Sequence, residues 1–228
     1  MTMMTHPPLS VLAIAEEHHP ELRSLFSYFR SISHLELRVK PEIPADLSPY
    51  DVIITAATAG FDEGCEELSR FAAAGGGWLG LVQVSDKPLP EIFGAQTGQI
   101  GPAAELRVMF VNSHHTMANR LPDAFYLKSI YQPLVNLADD TEPILYADWH
   151  YAHRPMLLAR PVGEGKVACT TLQAYDDPAF QQILYRLLRY LAGYDDGHDD
   201  GYKDAKDIKV EVALQLKAEG VARPVVAF

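Results

Sequence analysis

The sequence predicts an α/β fold in which a mostly parallel sheet is covered by helices on both faces. Short continuous apolar runs, typical of strands buried on both faces, recur through the first half of the chain. Segments with apolar residues at helical spacing lie between them, in the order strand, helix, strand, strand, helix, strand. This alternation is typical of parallel sheets whose strands are joined by right-handed crossovers.

The first half of the chain supplies the predicted parallel strands and two helices. Pro20 suits the first turn of a helix, and Leu22, Leu25 and Phe29 follow it at helical spacing. A second helix is predicted from Asp62 to the glycines 75–77. These glycines precede a strand, whereas a phosphate-binding loop precedes a helix, so we interpret them as a C-cap and tight turn. The predicted strands are 9–15, 35–39, 51–57 and 78–84.

The second half predicts a more mixed arrangement. A strand is expected over Leu106–Val111, and an antiparallel hairpin over 142–162 with its turn at 150–153. The segment 119–135 is interpreted as a loop, with one turn of helix as an option within it. A further strand, 166–172, leads into the clearest helix in the chain, which begins at Asp177 or Pro178 and stops at Gly193.

The chain divides into a domain of residues 1–193 and a C-terminal region of residues 194–228. That region opens with an acidic, glycine-rich linker and continues as an arm. Residues 208–216 alternate like a strand, yet their composition also permits a helix, and both alternatives stay open. Because the arm's apolar residues need a surface to cover them, we expect it to dock on a partner subunit in a homodimer or higher homo-oligomer.

Composition bounds the class of protein. A formal charge of −11 repels nucleic acids and anionic membranes, so neither is an expected partner. We expect no signal peptide, because the first residues lack a basic region, and no apolar run is long enough to span a bilayer. The two cysteines, Cys65 and Cys169, form no CxxC pair. A cytoplasmic protein with reduced thiols is therefore predicted.

Several stretches, taken in order, are similar to motifs of one family. FAAAGGGWLGL (71–81) is similar to a GGG-x-x-GLH motif, and HTMANRLPDAF (115–125) to a His-Pro-Ile … Gly-Leu-Pro-x-x-Phe signature. The segment 154–193 looks like a pattern of glycine turn, strand, P-x-F and closing helix. The histidines 18–19 match a family histidine after the first strand. From residue 9 to 193 the chain therefore resembles the ThuA-like (trehalose utilisation) proteins.

The resemblance implies the class I glutamine amidotransferase-like fold, a flavodoxin-like three-layer α/β/α sandwich. Three positions depart from the family pattern. Val82 stands where the family has a histidine, Lys128–Tyr131 replaces an acidic pair before a tyrosine, and Thr171–Ala174 replaces Ser-Leu-Gly-His. The resemblance thus implies a ThuA-like protein of undefined activity, and whether it is an enzyme stays open.

Glutamine amidotransfer itself is not expected. That reaction needs a cysteine thiolate at a strand-to-helix elbow, activated by a histidine. Cys65 lies well before the elbow and Cys169 lies within a strand, so both are interpreted as small buried residues. Ser85 lies near the elbow but lacks the Gly-x-Ser-x-Gly frame of a serine nucleophile.

The histidines provide the clearest functional signal. The pairs 18–19 and 114–115 each follow a strand that we predict to be parallel, so all four should emerge at one edge of the sheet. Imidazole is a common general acid–base group, and His19 and His115 are the predicted catalytic residues. The predicted ligand-binding residues are His18, Gln83, His114, Gln173 and Tyr175.

The leading hypothesis is a protein that binds or transforms a small polar metabolite, with a sugar derivative as one option. One alternative is a non-catalytic binding or assembly subunit, indicated by the three family departures and the apolar arm. The other is a metal-dependent hydrolase. A metal is not favoured, because Glu16, Glu17 and Asp148 are the other candidate ligands and they form no regular spacing with the histidines. No cofactor is predicted.

Overall fold

A nine-stranded sheet runs through the computed structural model, which describes residues 8–56, 64–118, 121–149 and 152–194. Two further short strands pair beside it. The strands of the described residues are β1 (Leu9–Ile14), β2 (Leu35–Lys40), β3 (Val52–Ala56), β4 (Gly77–Leu81), β5 (Gln96–Thr97), β6 (Ala103–Phe110), β7 (Ala124–Ile130), β8 (Leu134–Val135), β9 (Glu142–Trp149), β10 (Ala152–Val162) and β11 (Gly165–Thr170). The helices are α1 (Arg23–Arg30), α2 (Cys65–Ala73) and α3 (Pro178–Leu191).

The strand order of the large sheet is β2-β1-β3-β4-β11-β10-β9-β6-β7. The first five strands in this order are mutually parallel. From β11 onward each neighbouring pair is antiparallel. The predicted α/β class is confirmed: a parallel half built from crossovers is extended by an antiparallel half built from β6, β7, β9 and β10.

The sheet is the middle of three layers. Alternate residues of β1 point to opposite faces, so Val11 and Ala13 join one buried cluster while Leu12 and Ile14 join another. The first cluster includes the buried faces of α1 and α3, and the second includes α2 and the short 3-10 helix Glu91–Phe93. This is the three-layer α/β/α sandwich that the resemblance implied.

Helix α3 begins and ends at the residues that the sequence predicts. The Asp177 side chain accepts hydrogen bonds from the amides of Ala179 (2.8 Å) and Phe180 (3.4 Å), and Pro178 occupies the first helical turn. At the other end Gly193 has a φ of +77°, a conformation that favours glycine. Both predicted ends are confirmed.

The segment 119–135 corrects the sequence interpretation, because it contains strand β7 rather than only a loop. Phe125, Leu127 and Ser129 are buried, whereas Tyr126 and Lys128 between them are exposed. This period of two is the signature of a half-buried strand, and pairing with β6 completes its hydrogen bonds. Helix α1 also differs from expectation, since it begins at Arg23, three residues after Pro20.

Some predictions lie outside the described residues. The acidic linker, the arm and residues 208–216 follow Tyr194, the last described residue, and the predicted helix start at Asp62 falls in the undescribed stretch 57–63. The domain boundary and the oligomer therefore stay predictions. In the part of the chain that the structure describes, no helix is long and apolar enough to cross a membrane.

The turn between β10 and β11 packs tightly against the end of α2. A Cβ added at Gly165 would lie 2.2 Å from the Gly76 carbonyl oxygen and 2.4 Å from that of Ala72. These are backbone atoms of the neighbouring turn, so neither can move without displacing α2 or β4.

We expect Gly165→Ala to lower the free energy of unfolding by about 1–3 kcal/mol or more, because the added methyl group overlaps backbone oxygens. Gly193→Ala is the control: its φ of +77° strains the new residue, yet nothing lies within 4 Å of its added Cβ. Backbone strain alone costs about 1 kcal/mol there. Urea-induced unfolding measures both, and equal losses would contradict the packing argument.

Candidate functional site

Strand direction separates the two histidine pairs, so the prediction that they converge is wrong. β1 is parallel to β11 through β3 and β4, but three successive antiparallel pairings separate β11 from β6. β6 therefore runs opposite to β1. His18 and His19 follow β1 at the carboxyl edge, where the parallel strands end, and His114 and His115 follow β6 at the opposite, amino edge.

At the amino edge, His115 lies in a partly buried polar cluster. Its Nδ1 accepts a hydrogen bond from the amide of Met117 (3.1 Å), which leaves the proton of a neutral ring on Nε2, 3.8 Å from Glu142 Oε1. Its ring meets the Tyr190 ring edge-on at 5.2 Å. Burial lowers the pKa of His115, an effect that Glu142 partly opposes. The structure therefore holds His115 as a neutral, oriented side chain, while His114 is exposed.

At the carboxyl edge, His18 is exposed and His19 is half-buried. The Nδ1 atom of His19 is buried and has no hydrogen-bond partner among the described residues. The assignment of His19 and His115 as acid–base residues stays a prediction. The two cannot serve one reaction centre, since they lie at opposite edges of the sheet.

Gln83 and Gln173 do share the carboxyl edge. They follow the adjacent strands β4 and β11, and the Gln173 side chain donates to the Val82 carbonyl (3.4 Å). The backbone N–H of Gln173 also donates to Ser129 Oγ (3.0 Å), although Ser129 lies on β7, the last strand in the order of the sheet. The antiparallel half thus brings the end of β7 next to the ends of β4 and β11.

Gln132 joins these elements from a fully buried position. Its Nε2 donates to the carbonyls of Ser85 (2.8 Å) and Gly98 (3.3 Å), and its Oε1 accepts from the Ser85 amide (3.4 Å). Only 1% of the residue is exposed. Because each contacted group is loop backbone, this one amide connects the segment after β4 to the segment around Gly98.

Tyr175 is placed differently from the prediction. It is 4% exposed and packs on Phe180 with 6.1 Å between ring centroids, so its ring belongs to the core. Burial raises its pKa strongly, and the Glu21 charge adds to the effect. Tyr175 is thus a core residue rather than the wall of an open crevice.

The cysteines agree with the sequence interpretation. Cys169 is fully buried in β11, and burial raises the pKa of its thiol. Cys65 begins α2 and is half-buried beside Ser69. Since the reactive form of cysteine is the thiolate, Cys169 is unsuited to be a nucleophile.

The structure adds a feature at the carboxyl edge that sequence reasoning missed, an aromatic cleft of about 870 Å³. The ends of β7 and β9, the start of β10 and the segments beside β5 and β8 meet there. Inside it, the rings of Tyr131 and Trp149 lie 5.8 Å apart with 30° between their planes. The lining consists of Gly98–Pro102, Tyr131, Pro133–Leu137, Tyr146, Trp149 and His153–Pro155.

Charged side chains stand in a row across three strands beside this cleft. Arg107 of β6, Asp148 of β9 and His153 of β10 are directly opposite one another in the register. Asp148 accepts from Arg107 (3.0 Å) through one oxygen and contacts His153 Nδ1 through the other. The aspartate thus orients the imidazole, whose other nitrogen is Nε2.

The aromatic cleft was missed because its members are close only in the folded sheet. The local sequence patterns predict a hairpin turn at 150–153 and a loop at 119–135, and neither prediction places Trp149 or Tyr131 at an edge of the sheet. The available signal was the alternation of residues 124–130, which marks β7 and places Tyr131 at its end. Local patterns do not say which edge a hairpin tip reaches.

Among residues 8–56, 64–118, 121–149 and 152–194, no group of three or more His, Cys, Asp and Glu is placed to hold a metal ion. The separation of the two histidine pairs explains why they do not form one.

No protein-family model and no curated protein matches the sequence. Solved structures match its fold. A protein from Bacteroides uniformis described as ThuA-like has a TM-score of 0.63 at 16% identity, with 86% of this chain and 96% of that chain covered. A cytoplasmic protein from Salmonella typhimurium has a TM-score of 0.58 at 14% identity, covering 81% and 98%.

A β-galactosidase from Bacillus circulans also matches, with a TM-score of 0.60 at 16% identity. The match covers 82% of this chain but 31% of the β-galactosidase, so the fold there is one part of a longer protein. At these identities the likeness establishes a shared fold. The predicted resemblance to the ThuA-like fold is confirmed.

We expect Gln132→Leu to lower the free energy of unfolding by about 1–3 kcal/mol, because it leaves the Ser85 and Gly98 carbonyls without their partner. Gln99→Leu is the control, since Gln99 is exposed and a surface change costs within about 0.5 kcal/mol. Urea unfolding distinguishes the two. Similar losses in both variants would show that the buried amide is not the connection described.

We also expect His115 to make stability depend on pH. Its pKa is lowered in the fold, so below the ordinary histidine value of about 6.5 the unfolded chain takes up a proton before the folded protein does. The free energy of unfolding therefore falls as the pH drops through this window, and His115 contributes no slope above it.

His115→Asn retains an acceptor for the Met117 amide and removes the titrating ring. Unfolding free energies measured from pH 7.5 to 5.5 should show a shallower slope in this variant than in the parent. His18→Asn, at an exposed histidine, should keep the parent slope. An unchanged slope in His115→Asn would contradict the assignment.

Proposed function

We propose that the chain binds a small polyhydroxylated metabolite, such as a sugar or sugar derivative, in the aromatic cleft. The observation that carries this proposal is the Tyr131–Trp149 pair inside a cleft with polar side chains. A sugar ring has an apolar face that packs on an aromatic ring and a rim of hydroxyls that needs hydrogen-bond partners. The cleft volume of about 870 Å³ lies within the range typical of small-molecule sites.

The polar groups of the cleft suit such a ligand. Burial raises the pKa of Tyr131, an effect that Arg154 partly opposes, so the phenol stays protonated at neutral pH and can donate a hydrogen bond. Asn136 Nδ2 donates to Gln96 Oε1 (2.7 Å), which anchors that side chain at the cleft wall. Arg154 and His153 supply further donors on β10.

The location also supports a binding role. Ligands of open α/β sheets bind beyond the carboxyl ends of the strands, and β7 and β9 both end at the aromatic cleft. Gln132 connects the cleft wall at Gly98 to Ser85 in the loop after β4, the loop that also carries Gln83, one of the predicted ligand-binding residues. His115 would not act on a ligand bound here, because it lies at the amino edge.

The names of the structural neighbours agree with this proposal. One neighbour is described as ThuA-like and another as a β-galactosidase, which acts on a sugar. A role in carbohydrate metabolism in the cytoplasm is accordingly part of the proposal, as the description of the Salmonella neighbour supports. The proposal itself rests on the geometry of the cleft.

Trp149→Ala should weaken sugar binding about tenfold or more, because it removes the stacking face. The probes are D-glucose, D-galactose, D-glucuronate and D-galacturonate, measured by isothermal titration calorimetry at pH 7.5. Intrinsic fluorescence gives a second readout, since Trp149 borders the cleft whereas Trp78 is fully buried against Phe93. A sugar that occupies the cleft should change the emission of the parent and leave that of Trp149→Phe unchanged.

Tyr126→Ala is the matched control, because this aromatic residue is 42% exposed on β7 and does not line the cleft. Its dissociation constants should stay within about twofold of the parent. Absence of binding by all four probes would count against the proposed function, as would equal weakening in the Trp149 and Tyr126 variants.

A further inference from the structure

The charge of the aromatic cleft is opposite to that of the chain. The protein carries 30 acidic and 19 basic residues, a formal charge of −11. Yet the described residues that line the cleft include Arg154 and His153 and no aspartate or glutamate. In so acidic a chain, a concave site whose described lining carries an arginine and no carboxylate is a place where a negative ligand is favoured.

Arg154 is the permanent cation of the cleft. It lies on β10 opposite Ala147, is exposed, and makes no ion pair with a described residue. Its field reaches the Tyr131 hydroxyl, where it opposes the effect of burial on that phenol. Arg154 also lines the cleft together with Tyr131 and Trp149, so its guanidinium donors can reach a ligand bound there.

The carboxylate beside the cleft does not cancel this charge. Asp148 contacts His153 and also accepts a hydrogen bond from Arg107 at 3.0 Å, so it already has a cationic partner on β6. That ion pair is separate from Arg154, because Arg154 is opposite Ala147 in the register and not opposite Asp148. Among the described residues that line the cleft, Arg154 is thus the one guanidinium, and no described carboxylate pairs with it.

We propose that the ligand of the aromatic cleft is a sugar acid, whose carboxylate pairs with Arg154 while its ring packs on Trp149 and Tyr131. This inference rests on the proposed function and names the substrate class of the same site. A planar carboxylate matches the two parallel donors of a guanidinium. The charge of Arg154, the one permanent cation in the described lining, balances the single charge of a carboxylate, whereas a phosphate monoester carries about −1.5 to −2.

The test compares each acid with its neutral counterpart by isothermal titration calorimetry at pH 7.5. The dissociation constant of D-glucuronate should be at least about tenfold lower than that of D-glucose, or that of D-galacturonate at least about tenfold lower than that of D-galactose. This difference in affinity should shrink in high salt. In Arg154→Gln the difference should fall to about twofold or less, with binding of the neutral sugar little changed. Arg154→Lys keeps the charge but lacks the planar guanidinium. Its preference for the acid should lie between that of the parent and that of Arg154→Gln.

Arg38→Gln is the matched control. This exposed arginine lies on β2, at the other end of the strand order, and its removal changes the net charge equally. It should preserve the preference for the acid. Circular dichroism confirms that each variant is folded.

The outcomes separate this inference from the proposed function. Equal affinity for acid and neutral sugar, or a preference that survives in Arg154→Gln, overturns the sugar-acid inference while binding in the cleft stands. Tighter binding of D-glucose 6-phosphate than of D-glucuronate overturns the carboxylate class. Absence of binding by every sugar overturns the proposed function and this inference with it.

Discussion

The antiparallel pairing of β10 with β11 is the constraint on which the rest of the structure depends. Six paired positions, from Leu157 opposite Thr170 to Val162 opposite Gly165, reverse the direction of the sheet at its centre. The reversal requires a turn at Gly163 and Gly165, packed on the backbone at the end of α2. Without it the second half of the sheet would continue as crossovers, and the strand ends would meet different neighbours. The β10–β11 hairpin therefore determines which side chains meet at each edge of the sheet.

That reversal separates the two histidine pairs and brings Tyr131 and Trp149 together. Because of the reversal, β6 runs opposite to β1. The histidines that follow β6, His114 and His115, are therefore separated from His18 and His19 by the length of the strands. The reversal also makes β7 and β9 end at the carboxyl edge, where Tyr131 and Trp149 meet. The strand residues that line the cleft thus come from the antiparallel half, while Gln83 and Gln173 follow strands of the parallel half at the same edge. Gln132, bonded to Ser85 and Gly98, connects the two groups of residues.

Much of the fold was predictable because its signals are local. The apolar run of β1, the cap formed by Asp177 and the period of α3 each lie within a short window, and each was confirmed. The candidate site was less predictable because its signals are not local. Whether His115 faces His19 depends on three strand pairings between distant segments, and whether Tyr175 is open to solvent depends on how Phe180 packs over it. The alternation of residues 124–130 was present in the sequence, but the flanking Pro and Asp favoured a loop.

The Gln132 side chain links the evolution of the loop after β4 to the shape of the aromatic cleft. A single planar group satisfies the backbone of the loop after β4 and that of Gly98, which borders the aromatic cleft. A planar amide cannot follow a displacement of one carbonyl without weakening its bond to the other. Insertions or exchanges in the loop after β4 would therefore reshape the cleft wall from a distance. Two proteins with an identical set of cleft side chains would then differ in the shape of the cleft because of a loop that does not line it.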